Sequence, residues 1–142
     1  MKTVNDILRS KGQDVWSIGP DASVYDAIRT MADKKVGALM VMENDQVVGV
    51  ISETDYARKV ILKGRSSPGT PVREIMTTRV VYIEPHQDIE DAMVIITEKR
   101  VRHLPVINEG KLVGVISIGD VVKSIIDEQR FTIEQLERYI SG

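Results

Sequence analysis

Laid upon itself at an offset of 65 residues, the stretch from Val15 to Val60 matches Val80 to Ile125 without a gap, and 15 of the 46 aligned pairs are identical. Identities include Pro20 with Pro85, Asp26 with Asp91, Ala27 with Ala92, and Gly49-Val50-Ile51-Ser52 with Gly114-Val115-Ile116-Ser117. Two copies of so long a period are too few for a solenoid, so the pattern points to a duplicated unit with pseudo-two-fold symmetry. A lead-in recurs too: Val4-Asn5-Asp6-Ile7-Leu8 resembles Val72-Arg73-Glu74-Ile75-Met76 at an offset of 68. Between the copies, Lys63-Gly64-Arg65-Ser66-Ser67-Pro68-Gly69-Thr70-Pro71 is rich in turn formers and reads as a linker. The expected organisation is a first repeat over residues 1–71, with lead-in and linker, and a second over 72–142 with a C-terminal helix.

Each copy has the same local grammar. A short apolar strand (Val15 to Ile18; Val80 to Ile83) passes through a proline to a helix start, where Ser23 with Asp26 and Asp88 with Asp91 have capping-box spacing. Val24, Ala27, Ile28 and Met31, and likewise Ile89, Ala92, Met93 and Ile96, then give each helix one apolar face. Two hairpins follow, Ala38 to Met42 with Val47 to Ile51 about Asn44-Asp45, and His103 to Ile107 with Leu112 to Ile116 near Glu109-Gly110. Further helices are expected from Asp55 and Asp120, so the order per repeat is β-α-β-β-α. This is an α/β fold of two small sheets flanked by helices. Thr132 to Ile140 reads as another helix, with Ile133, Leu136 and Ile140 on one face.

At 142 residues the chain can bury roughly two-thirds of its unfolded surface. Its 42% apolar and 28% charged residues are those of a globular chain rather than a disordered one. A net charge of -2 argues against nucleic acid or an anionic membrane as partner. With no cysteine and only His86 and His103, disulfides, thiolate chemistry and multi-histidine metal sites are excluded, and no metal is expected. No apolar run approaches the roughly 20 residues of a membrane span, and the N-terminus lacks the apolar core of a secretory signal, so the expectation is cytoplasmic. Gly64 to Thr70 mimics a phosphate loop but lacks the Lys-Ser/Thr pair, and the dinucleotide fingerprint and nucleophile elbow are absent. No catalytic residues are assigned and no enzyme is expected.

The duplicated β-α-β-β-α unit, with Gly49-Val50-Ile51-Ser52-Glu53-Thr54-Asp55 and Gly114-Val115-Ile116-Ser117-Ile118-Gly119-Asp120 at corresponding places, resembles the CBS-domain family over nearly the whole chain. The segment from Ile51 to Val60 looks like the stand-alone bacterial members that consist of one CBS pair, or Bateman module. The resemblance implies two repeats packed sheet against sheet with clefts between them that bind AMP, ATP, ADP, NAD or S-adenosylmethionine, AMP being the first expectation. It also implies a homodimer, a regulatory or sensor role without chemistry of its own, and an effector on another chain. The alternative is a structural or partner-binding oligomerisation module with no nucleotide ligand.

A strand that ends just before a helix aims the first-turn N–H groups and the positive end of the dipole at one place, which suits phosphate. Ser52 and Ser117 can add a hydroxyl, while the resemblance gives Asp55 and Asp120 the ribose hydroxyls and gives Arg102 and His103 the phosphate. The plainer alternative is that each Ser and Asp merely caps its helix. In the first repeat Gly37 and Ala38 replace Arg102 and His103. The Ser52 and Asp55 cleft is therefore expected to rely on Thr54, Arg58, Lys59 or Lys35 and to hold phosphate less firmly. Ile18, Ala38, Val80, Ile83, Pro105 and Ile118 are candidate walls for an adenine ring, each readable also as core. Trp16 and Tyr82 are candidates for base stacking or for a rim contact.

Overall fold

A computed structural model describes residues 2–12 and 14–141. Its elements run α1 (Val4–Lys11), β1 (Ser17–Ile18), α2 (Val24–Lys34), β2 (Ala38–Glu43), β3 (Gln46–Ser52), α3 (Glu53–Tyr56), a π-helical turn (Ala57–Ile61), a 3-10 turn (Val72–Glu74), α4 (Ile89–Lys99), β4 (His103–Asn108), β5 (Lys111–Ser117) and α5 (Ile118–Ser141). One sheet has the order β1-β2-β3, the other β4-β5.

The hairpins sit at the expected turns. Asn44 and Asp45 both have positive φ, 53° and 63°, the type I′ geometry whose twist suits paired strands. Across β2 and β3 Ala38 pairs with Ser52, and a bulge after Val41 leaves Val48 without an opposite residue. The helices start where their caps predict: Ser23 accepts from the Asp26 N–H, and Asp88 with Asp91 forms a reciprocal capping box. Both α2 and α4 stop at a left-handed residue, Lys35 and Arg100, 65 positions apart.

Three expectations change. The first strand of the repeat is only Ser17–Ile18, and its counterpart shrinks to a single parallel bridge between Ile83 and Val106. The helix after Ser52 is one α-turn followed by a π-turn. The separate tail helix does not exist as such, because Thr132 to Ile140 continues α5 without a break. Nothing between Ile118 and Ser141 is a glycine or proline after Gly119, so no residue interrupts the ladder.

The compact units are not contiguous halves of the chain. Among the described residues, one comprises those up to Asp14, Val81–Glu109 and those from Val113 on; the other is Val15–Val80 with Gly110–Leu112. Each lead-in thus packs with the repeat it does not precede. In the first unit Val4, Ile7 and Leu8 join Ile83, Ala92, Leu104, Ile116 and Val121 in one core. In the second, Val72 and Ile75 join Val24, Ala27, Met31, Leu39, Ile51 and Val60. The backbone bonds are the same in both: Val4 and Asn5 N–H groups donate to Gln87 and Pro85 carbonyls at 2.8 and 3.0 Å, and Val72 and Arg73 donate to Ala22 and Pro20 at 2.8 Å each.

Candidate functional site

In the unit built on the first repeat, β3 ends at Ser52, whose Oγ accepts the Asp55 N–H at 3.2 Å while Asp55 Oδ2 accepts the Ser52 N–H at 3.0 Å. Asp55 is 8% exposed. Its Oδ1 lies 3.1 Å from Lys59 Nζ, one helical turn on, and takes the Thr77 hydroxyl at 3.5 Å. Lys59 also donates to the Ile75 carbonyl at 2.9 Å. Thr54, Arg58 and Lys35 are exposed, and Ala38 stands opposite Ser52 in the sheet. Ile18 is half-buried beside Val41. The Trp16 ring is covered by Lys34 Nζ, 4.5 Å from its centroid.

In the other unit the Ser117 Oγ accepts the Asp120 N–H at 3.1 Å, and Asp120 Oδ2 accepts the Ser117 N–H at 2.8 Å. The serines and aspartates are therefore caps in both repeats, and capping is what fixes each carboxylate at its strand end. Asp120 is also held by Lys11, whose Nζ lies 2.6 Å from Oδ2 and donates to the Val115 carbonyl at 2.9 Å. Burial pushes the Asp120 carboxyl up, but the hydrogen bonds from Lys11 and from the Ser117 backbone, with the lysine charge, outweigh it and hold the group below the usual carboxylate range. Lys11 was not among the residues expected here. It stands 109 positions from Asp120 in the chain, so only the packing of α1 brings it in.

The Ile118 N–H donates to the Arg102 carbonyl at 2.8 Å, which ties the entry of β4 to the start of α5. Arg102, Ser117, Ile118 and Asp120 are thus gathered at one end of this unit, with Arg102 and Ile118 exposed and His103 half-buried at the first position of β4. Pro105 is buried, and Ile83, which donates its N–H to the Pro105 carbonyl, is wholly enclosed in the core. Ile83 is a core residue with no surface to offer a ring, which corrects its place among the walls. Val80 is half-buried and belongs to the other compact unit. A groove of about 100 Å³ between α1 and α5, lined by Lys2, Asp6, Ser10, Lys11, Asp120 and Lys123 among others, flanks Asp120. It is smaller than the roughly 300–1,000 Å³ of a pocket that encloses a ligand of drug size. Among the described residues no group of three or more His, Cys, Asp or Glu is placed to hold a metal ion, and no helix is long and apolar enough to cross a membrane.

The family model described as CBS domain matches residues 4–61 and 72–127. A curated relative, the CBS domain-containing protein CBSX3, mitochondrial, of Arabidopsis thaliana, is 39% identical over 99% of this chain and 72% of its own length. Among solved structures, a putative signal-transduction protein with CBS domains from Burkholderia ambifaria is similar at 50% identity and a TM-score of 0.87, covering 90% of this chain and 96% of that one. A more distant one is the CBS domain pair of protein MJ0100 in complex with 5′-methylthioadenosine and S-adenosyl-L-methionine. At 18% identity, a TM-score of 0.80 and coverage of 90% and 98%, it shows the shared fold alone.

Proposed function

This chain belongs to the CBS-domain family, as a pair of these regulatory modules, and from that premise we propose that it is a non-enzymatic sensor of an adenine nucleotide. AMP is the first choice; ATP, ADP, NAD and S-adenosylmethionine are its competitors. The sensor acts as a homodimer and passes its state to a separate effector protein. The observation that carries this reading is the convergence at the start of α5. There a capped carboxylate, Asp120, the exposed Arg102 and the first turn of a 24-residue helix share one end of a unit. An ionised carboxylate accepts both hydroxyls of a ribose, and the helix N-terminus with an arginine attracts phosphate. The complex of MJ0100 with two adenosyl compounds supports the class of ligand.

The two repeats are unequal hosts. At the equivalent place in the first repeat the α-helix has four residues, no side-chain donor replaces Arg102, and Asp55 is buried where Asp120 is half-buried. The stronger site is therefore that of Ser117 and Asp120, with Ser52, Asp55, Thr54, Arg58 and Lys35 forming the weaker one.

Thermal unfolding against each of the five compounds tests the proposal, since a ligand at a hundredfold over its dissociation constant adds about 2.7 kcal/mol of stability. A selective shift is expected. Asp120→Ala and Arg102→Ala should each weaken binding by about one to two decades, the loss of a charge-assisted hydrogen bond, and Asp55→Ala by less. Equal losses would remove the asymmetry. No shift with any compound would favour the structural oligomerisation module instead.

A further inference from the structure

Helix α5 runs on beyond the core of its unit. Its buried residues are Val121 and Ser124, and every residue from Gln129 to Ser141 is exposed. Along the outer face of the helix Val122, Ile126, Ile133, Leu136 and Ile140 are 41%, 43%, 54%, 57% and 82% exposed. With Gln129 they fall at alternating steps of four and three, the 3.5-residue period of a coiled-coil seam. An apolar seam of this length in water marks an interaction surface.

We infer that the seam is covered by the α5 of a second copy of this chain, running antiparallel about a two-fold axis near position 131. The seam is self-complementary, as an isologous interface requires. In the antiparallel register Ile126 meets the partner's Leu136, Ile140 meets the partner's Val122, and Ile133 meets the partner's Gln129. The flanking positions then place Lys123 opposite the partner's Glu137, an opposite-charge pair made twice by the axis, and Ile125 opposite the partner's Tyr139. A parallel pairing at the same seam would set Ile125 beside Arg130 and Thr132 beside Glu137, with no opposite charges facing. Arg130 meets its own copy near the axis, but at the wet edge of the seam, where salt screens the repulsion. This gives the homodimer of the preceding reading a surface and depends on nothing in its nucleotide site.

Sedimentation velocity of the full chain, without nucleotide, tests it on the wild type, Ile133→Glu/Leu136→Glu, Lys123→Glu and the charge swap Lys123→Glu/Glu137→Lys. All substituted side chains are exposed, and circular dichroism of each variant checks that it folds as the wild type does. A dimeric wild type, a monomeric apolar variant, about tenfold or more weakening by Lys123→Glu and recovery in the swap are expected. A monomeric wild type, or a dimer that survives Ile133→Glu/Leu136→Glu, overturns the proposal. A swap that fails to recover overturns the antiparallel register. Because ligand is absent throughout, failure of nucleotide binding leaves the result unchanged.

Discussion

Asp55 and Asp120 stand 65 residues apart at equivalent places, yet each acquires its lysine by a different route. Asp55 takes Lys59 from the next helical turn, whereas Ser124 occupies the matching place in the second repeat and Asp120 takes Lys11 from α1. The pKa of Asp120 lies below its unfolded value of about 3.9. Its contribution to stability is therefore present above about pH 4 and disappears as the pH falls through the depressed folded value. With side chains 34% and 24% exposed, the Lys11 and Asp120 pair contributes up to about 1 kcal/mol. Urea unfolding should find Lys11→Met less stable than wild type by about that much at pH 7, with the gap narrowing as the pH falls below about 4 and Asp120 takes up its proton. A gap that stays the same until the protein unfolds in acid would assign the effect to the stem of Lys11 or its bond to the Val115 carbonyl. Which aspartate would be capped was legible in the Ser-x-x-Asp spacing. Which lysine would neutralise Asp120 was not, since no local pattern links residues 109 apart.

At the scale of elements, the glycine in each third strand is where a lead-in meets its sheet. A Cβ at Gly114 would stand 2.6 Å from Leu8 Cδ2, and one at Gly49 would stand 2.7 Å from the Met76 sulfur and 3.0 Å from the Thr77 carbonyl. Leu8 and Met76 are themselves equivalent in the lead-in match, so the duplication preserved the contact and not only the fold. Gly114→Ala should destabilise the protein by about 1–3 kcal/mol through overpacking. Leu8→Ala should cost about 2–5 kcal/mol through a cavity. The double variant should lose less than the sum, because the added methyl enters the space the leucine vacates. A strictly additive loss in chemical denaturation would mean that the two residues do not share that space. Helix and hairpin positions were legible from capping residues, apolar period and turn signals. The reduced first strands were not, because an isolated run such as Val80 to Ile83 carries the same β-forming residues whether or not a neighbour pairs with it.

For the whole molecule, the exchange of lead-ins ties the N-terminal segment to a core formed otherwise by residues beyond Val80. Removing residues 1–12 takes Val4, Ile7 and Leu8, all at most 5% exposed, out of that core. At about 1.5–3 kcal/mol for each buried side chain, the loss is comparable with the entire stability of a small domain. Amide hydrogen exchange on the shortened chain should show protection lost around Leu104 and Ile116, with Leu39 and Ile51 less affected. Equal loss at all four would mean that the lead-in does not belong to one core more than the other.

The duplication, the order of elements in each repeat, the two hairpins and the helix caps at Ser23, Ser52, Asp88 and Ser117 were all determined by the chain's own residues, because turns, caps and amphipathic faces are set by interactions between near neighbours. The tertiary structure decided the rest. It chose which lead-in entered which core, brought Lys11 to Asp120, enclosed Ile83 and carried α5 past the core of its unit. Each of these depends on contacts between residues far apart in the chain, and a repeat that occurs twice offers two equivalent partners whose sequence alone does not distinguish them. Only close packing of whole side chains in three dimensions selects between them.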